Sequence, residues 1–530
     1  MMPTQSLQPA STTPSFLRVF SPRADNIAPL VILLLLLHLA LWTVFTGLSH
    51  RSPDWDNMEE LVWAGGLEWG YYKHPPLPTW VLYGLVSVFG RPVWLTFFTG
   101  QLSVVLALWM VWKLGCEMTT PRRALIATLF VSLVAYFTVR GVMNNHNTMQ
   151  LWSVAGAIWM LYRATRYDSM RAWALLGVFS ACAFLTKYSV LVQFATFFLY
   201  LLFTGQLRRA RTWKGIALAT AVLLVLVAPH LIWLARQAGG PLTYAENAMA
   251  PLTTYWQVLG DQFDFTLTNL GRLAVVGLAV ALVAVWQRRQ LRTTPAAARP
   301  PKMARSLAAS DRFFLLFVGF APLLLTMTVA GAMKIPLLAH WPTTFFMLFG
   351  FLPFWLLRSD DDAALLRKTM IVVITLQVLG AALYGVARGP LADHAGRPSR
   401  ATFPGAEVAR LVHAEWTSRM QAPLRVVAAD TWLGGNIATR IGRDVQVLID
   451  GDFGKAPWVD RESAQCGMLV AINRSPANPD RTDEKVVALM EQAAHRGTVE
   501  VPWTRKTGGP VVVVEWGIIP AGADCAAAGR

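Results

Sequence analysis

The chain has 530 residues, of which 54% are hydrophobic and only 15% charged, with 22 Trp and 27 Phe. Soluble globular proteins carry about 25% charged residues, so this composition excludes an ordinary water-soluble globule. The net charge of +16 does not mark a nucleic-acid binder either. Most basic residues sit in short loops between apolar blocks, where they set topology, and no basic patch is interleaved with aromatics on a soluble face.

The apolar blocks are roughly 20 residues long, enough as helices to cross about 30 Å of hydrocarbon. In chain order they predict a polytopic α-helical membrane protein with eleven spans, at 28–48, 92–113, 121–140, 147–165, 171–187, 189–205, 213–235, 269–287, 312–331, 336–357 and 369–387. Residues 1–27 precede them as a cytoplasmic tail. The first block is too long for a signal-peptide core and lacks a small-x-small cleavage site, so it reads as a signal anchor. Segment 77–90 is apolar but short, bracketed by Pro75, Pro76, Pro78 and Pro92, and reads as a helix lying at the interface. Counting it as a span would invert every later loop. With eleven spans the cytoplasmic connections carry Arg122–Arg123, then Arg163, Arg166 and Arg171, then Arg208, Arg209, Arg211 and Lys214. The basic linker 290–311 and the Arg358, Arg367, Lys368 connection continue the pattern, as the positive-inside rule requires.

From residue 388 the composition changes, and 388–530 reads as a small α/β domain that the odd number of spans places outside. RVVAAD, VQVLIDGD, GMLVAI and VVVVEW are β-branched runs ended by turn residues, hence strands; 432–441, 460–466 and 482–496 read as helices. Cys466 and Cys525 both fall in this domain, where an oxidising compartment would permit a disulfide.

Polar residues that solubility does not require cluster on the external side. The first loop, 49–91, holds Asp54, Asp56, Glu59, Glu60 and Glu68, then Tyr71, Tyr72, Lys73 and His74 before Pro75–Pro76. A solvated acidic face on an interfacial helix would explain these residues. However, Asp56, Glu59 and Glu60 share one helix face at i, i+3 and i+4, where like charges repel. A carboxylate there can act as a general base on an acceptor or hold a divalent metal. Other external helix ends carry Arg140 with Asn145, His146 and Asn147, then Thr186–Lys187–Tyr188, Pro229–His230 with Arg236, Lys334, and His340–Trp341. Any one Lys or Arg there could simply snorkel to the interface. Together they form a site with cations for a phosphate and carboxylates for proton transfer.

The run from Asp56 to Pro76, DNMEELVWAGGLEWGYYKHPP, resembles the first-loop signature of bacterial family 39 glycosyltransferases. These are protein O-mannosyltransferase-like members of the C-type superfamily, which includes the lipid A aminoarabinose transferase. Thr186–Lys187–Tyr188, Pro229–His230, His340–Trp341–Pro342, Asp430–Thr431–Trp432 and Ile449–Asp450 extend the resemblance over nearly the whole chain. It implies transfer of a sugar from a polyprenyl-phosphate-linked donor at the periplasmic face of a bacterial inner membrane, with inversion. The acceptor would be a glycolipid, a glycan or a protein. Residues 28–387 would form the transferase domain. By this resemblance Asp56 is the catalytic carboxylate, with Glu59 and Glu60 beside it. Lys187 contacts the donor phosphate, helped by Lys73, Arg140, Arg236 and Lys334. Tyr71, Tyr72, His74, Asn145, Asn147, Tyr188, His230, His340 and Trp341 are substrate-binding candidates. No cofactor is implied; a divalent metal on Asp56, Glu60 or His74 lacks a strong ligand spacing.

There are two departures. Asn57 replaces the usual Glu after Asp56, and Asn145 stands where many relatives carry a second Asp. An amide can hydrogen-bond but cannot act as a base, so a two-carboxylate mechanism does not transfer. A transporter or lipid flippase is the competing class; it lacks support from an inverted repeat or from charges at mid-membrane depth.

Overall fold

A computed structural model of the chain describes residues 27–237, 252–292, 294–477 and 482–522. The expected cytoplasmic tail, apart from Ile27, and Cys525 lie outside the described residues.

Each predicted span coincides with helical structure. The helices are α1 (Ala28–Ser49), α2 (Trp55–Trp63), α3 (Leu77–Phe89), α4 (Val93–Met118), α5 (Pro121–Val131), α6 (His146–Arg166), α7 (Met170–Phe184), α8 (Leu191–Phe203), α9 (Ala210–Arg236), α10 (Tyr255–Leu291), α11 (Ala309–Met333) and α12 (Asp362–Arg388). Among the described residues, six helices are long and apolar enough to cross a membrane. The others are shorter, broken or less apolar, and two depart from the expected form. The span expected at 121–140 stops at Val131 and resumes as a single 3-10 turn, Ala135–Phe137. The span expected at 336–357 is a 3-10 helix, Trp341–Trp355, entered and left through Pro342 and Pro353. Its Gly350 lies so close to α5 that a Cβ there would sit 2.1 Å from the Ala127 carbonyl oxygen. α3 occupies the segment expected to lie at the interface.

α4, α5 and α6 form the middle of the helical core, where Val104, Ala107, Phe130, Val131, Leu151 and Leu161 are fully buried. Outer helices keep apolar side chains exposed: Leu48, Val225, Phe203 and Leu383 are all more than 60% accessible. Water would oppose such surfaces; hydrocarbon does not.

The tail domain holds a five-stranded sheet in the order β2-β1-β3-β5-β4. Its strands are β1 (Val426–Ala429), β2 (Gln446–Ile449), β3 (Met468–Asn473), β4 (His495–Pro502) and β5 (Val511–Ile519). β1 runs parallel to β2 and β3, whereas β5 is antiparallel to both β3 and β4. All four expected strands are present. The helix expected over 482–496 ends at Glu491, and β4, unforeseen, starts four residues later. Cys466 is disulfide-bonded, whereas Cys116 and Cys182 are free thiols.

The tail's core does not stop at its own boundary. Met58, Leu61, Val62 and Trp63 of α2 are buried in one cluster with Trp432, Leu433 and Ile437 of the helix Thr431–Ile441, hereafter the docking helix. Fully burying a side chain of this size stabilises by roughly 1.5–3 kcal/mol. The nine-residue helix α2 is therefore held between two bodies, and that position defines the site.

Candidate active site

α2 begins in the loop that follows α1 and carries Asp56 in its first turn, where the helix dipole favours negative charge. Its carboxylate-bearing face lines a cavity of about 960 Å³ with Asp56, Glu59 and Glu60, opposite Lys187 and Arg140. The far wall is apolar and comes from α8 (Leu191, Val192, Ala195) and α11 (Leu325, Val329, Ala330). One cavity thus combines a charged end with a lipid-like end.

Asp56 is oriented through one oxygen. Asn145 Nδ2 donates to Asp56 Oδ2 at 2.8 Å, while Asn145 Oδ1 accepts from the backbone N–H groups of Asn147 and Thr148 at the start of α6. The same amide caps a helix and fixes a carboxylate. A carboxylate at 145 would keep the cap but could not donate to Asp56. Asn57, the other departure from the family pattern, turns away from the cavity. Its amide donates to Thr96 Oγ1 at 2.9 Å and to the Val142 carbonyl at 3.1 Å.

Glu59 and Glu60 are already engaged. Lys73 Nζ lies 2.6 Å from Glu59 Oε1, and the Tyr72 hydroxyl donates to the same oxygen at 3.4 Å. Burial opposes the Lys73 charge, but Glu59 outweighs it and raises the ammonium's pKa above its ordinary value. Glu60 accepts from Thr79 Oγ1 at 2.7 Å and faces His146 Nδ1 at 3.2 Å. Since the Pro75 carbonyl can only accept, His146 Nε2 carries a proton toward it. One further proton lies between Nδ1 and Glu60. Burial raises Glu60 well above the ordinary carboxylate range. His74, 4.1 Å from His146 between ring centroids, is held well below its usual pKa by burial and then by the cationic or ring groups around it.

The cations opposite differ from Lys73. Lys187 Nζ donates to Asn147 Oδ1 at 2.5 Å, and Arg140 reaches only the Met143 sulfur, at 3.8 Å. Among the described residues neither forms an ion pair. Two cations without a carboxylate partner, facing a cavity, make an anion site.

Of the residues singled out from sequence, the cavity brings together Asp56, Glu59, Glu60, Lys73, His74, Arg140, Asn145, Asn147, Lys187, Tyr188, His340 and Trp341. Tyr71, Tyr72, His230, Arg236 and Lys334 do not line it. Tyr71 is buried against Trp63 with ring centroids 5.0 Å apart, and its hydroxyl donates to the Gly66 carbonyl. His230 Nδ1 donates to the Trp69 carbonyl at 2.6 Å and its Nε2 accepts from the Tyr188 hydroxyl at 2.8 Å, so it braces a lining residue. Arg236 ends α9 on an exposed surface. Lys334 stacks on the Tyr255 ring at 4.5 Å. Sequence reasoning overlooked Trp55, Tyr136, Met143 and the apolar wall. The α11 contribution carried no signal, because its lining residues are continuous with an apolar span. No group of three or more His, Cys, Asp or Glu side chains is placed to hold an ion among the described residues.

The helices and this cavity define a multi-pass membrane protein with an enzyme-like site at one end of its bundle. The comparisons are more specific. Residues 73–233 match the family described as dolichyl-phosphate-mannose-protein mannosyltransferase. The chain is 24% identical over 460 residues to the lipopolysaccharide core galacturonosyltransferase RgtA of Rhizobium johnstonii, spanning 82% of this chain and 84% of that one. It is 23% identical over 262 residues to the lipid A galacturonosyltransferase RgtD of the same organism, spanning 48% and 53%. Its fold is that of ArnT from Cupriavidus metallidurans, with a TM-score of 0.61, 14% identity, and 92% and 98% of the two chains covered in the apo state. ArnT bound to undecaprenyl phosphate gives a TM-score of 0.59. The resemblance to family 39-like glycosyltransferases of the C-type superfamily, read from the first loop, is borne out.

Proposed function

We propose that this protein transfers a sugar from a polyprenyl-phosphate-linked donor to a glycolipid acceptor, at the periplasmic face of a bacterial inner membrane. The observation that carries the reading is the cavity itself: a carboxylate with one oxygen held and the other open, two cations without carboxylate partners, and an apolar wall continuing from them. The phosphate of the donor pairs with Lys187, and its isoprenoid chain lies along α8 and α11. Asp56 takes the proton of the acceptor hydroxyl as its oxygen attacks the anomeric carbon. The new C–O bond forms as the bond from that carbon to the phosphate oxygen breaks, which inverts the centre. The lipid phosphate leaves carrying the electron pair, and Lys187 stabilises the charge it gains. The proton passes from Asp56 to water.

A uronic acid suits the site as the donor sugar. Its carboxylate would be the second anion for the second cation, Arg140, and an amide at 145 in place of a carboxylate removes one repulsive charge. The Rhizobium relatives, named for galacturonosyl transfer, support this choice. A glycolipid acceptor agrees with the same names.

The test is transfer of radiolabelled sugar from polyprenyl-phosphate donors into membrane extract, comparing the wild type with Asp56→Asn at equal expression. Loss of product in the variant by about 10²–10⁴-fold is expected for removal of a general base. Undiminished labelling would remove Asp56 from the mechanism. Absence of labelling from every donor, uronic or neutral, would overturn the transferase reading.

A further inference from the structure

The loop that carries Asp56 is tied to the tail domain at residues 51–53 and 55, while Asp54 between them pairs with Arg388 at the end of α12 at 3.0 Å. The Arg51 N–H donates to the Ala401 carbonyl at 2.8 Å, and its side chain pairs with Glu407 at 2.9 Å. Ser52 Oγ donates to the Phe403 carbonyl at 3.1 Å, and Trp432 Nε1 donates to the Pro53 carbonyl at 3.1 Å. The guanidinium of Arg400 lies 5.1 Å from the ring centroid of Trp55, and Trp55 itself lines the cavity. Asp56 is the next residue.

The packing beneath these bonds is close. A Cβ at Gly435 of the docking helix would lie 2.5 Å from Met58 Cγ, 2.6 Å from its sulfur and 2.9 Å from Val62 Cγ2. Only a glycine lets the docking helix approach α2 this closely. Met58 and Val62 sit on the face of α2 opposite the carboxylates, so any push from Gly435 moves Asp56 toward or across the cavity.

We propose that the tail domain is a positioning element for the transfer reaction: the docking helix, through Gly435 and Trp432, sets the depth and angle of α2 and hence the location of the Asp56 carboxylate. Neither residue lines the cavity. Interiors packed at crystal-like density transmit displacement rather than absorb it, and a misplacement of about 1 Å can cost on the order of 10²-fold in rate. The inference rests on the transferase reading for its kinetic consequence, whereas its structural part stands apart from that reading.

The experiment uses the full-length protein in detergent and compares Gly435→Val, Trp432→Phe and the double variant Met58→Ala/Gly435→Val with the wild type. Two quantities are read: the turnover and KM for a labelled polyprenyl-phosphate donor, and hydrogen exchange of the α2 amides. Gly435→Val should lower kcat about tenfold or more with the donor KM little changed, and should speed exchange in residues 55–63. Trp432→Phe, which keeps an aromatic ring, though a smaller one, and removes the hydrogen bond to Pro53, should do the same to a smaller degree. Removing the Met58 side chain should return part of both. Wild-type kcat in Gly435→Val, or a loss of kcat with unaltered exchange in α2, would overturn the proposal, as would a double variant no better than Gly435→Val. Should the wild type transfer no sugar, the functional reading fails, and the exchange measurements alone decide whether the tail holds α2.

Discussion

The helical region and the tail domain follow opposite rules of exposure. On the helices, large apolar side chains such as Leu48, Val225 and Leu383 face outward; from residue 400 onward, Val511 is the only large hydrophobic among the described residues to do so appreciably. The tail hides the same residue types in β1, where all four positions are buried. Both regions minimise contact between unlike media, and the difference lies in the medium: hydrocarbon around one, water around the other. Between them, α2 has to satisfy both, with a carboxylate face toward a polar cavity and an apolar face toward a water-soluble domain's core.

The comparison can be broken or sharpened by measurement. The largest expected effect lies in the cavity, on its membrane side. Lys187→Met should lower transfer about 10²–10³-fold, the range for removing one preorganised electrostatic partner, and labelled-sugar assays at saturating donor would read it. A loss no greater than that of a tail-domain lesion such as Gly435→Val would mean the two sides contribute alike. A smaller effect separates the two surfaces directly. Val225→Arg, at the middle of α9, should add about 2.5–3.5 kcal/mol to membrane insertion. The matched change Val511→Arg on the tail should leave insertion unaltered. Glycosylation-tag insertion assays give both values, and equal penalties would dissolve the distinction.

The smallest effect is a pH dependence at the seam. The folded-state pKa of Glu60 is raised by burial, so its contribution to stability is complete below the ordinary carboxylate value of about 4.3 and is lost as pH rises through the raised value. Glu60→Gln mimics the neutral acid and keeps a donor for His146 and an acceptor for Thr79. The melting temperature of the wild type should therefore fall more steeply than that of Glu60→Gln as pH is raised above the ordinary carboxylate range. Parallel curves would place the proton elsewhere. His74, whose pKa is depressed, acts in the other direction: its contribution is present above its usual range of about 6.5 and is lost on strong acidification.

Much of this was legible because membrane spans and β-branched strands announce themselves by composition. The apolar runs marked where the helical region has helical structure, and Asp56, Lys187 and Asn145 stood out as polar residues with no solubility to provide. What could not be read was geometry that depends on pairs. Nothing local says that His230 braces the site instead of lining it, since its partners, Trp69 and Tyr188, become neighbours only on folding. The close approach of Gly350, in the 3-10 helix Trp341–Trp355, to Ala127 is a contact between segments more than two hundred residues apart. The docking of the tail on α2 was hidden for the same reason: Met58 and Val62 look like any apolar stripe until Gly435 is seen against them.

The amide of Asn145 has a consequence for which sequences this site can tolerate. It must present an acceptor to two backbone N–H groups and, from the same planar group, a donor to Asp56. Aspartate and serine can meet the first demand, and neither can meet both at this reach; glutamine has the right chemistry on a stem one carbon too long for a cap. Two independent constraints thus leave a single amino acid, so the start of a membrane helix and the aim of the reacting carboxylate are inherited together.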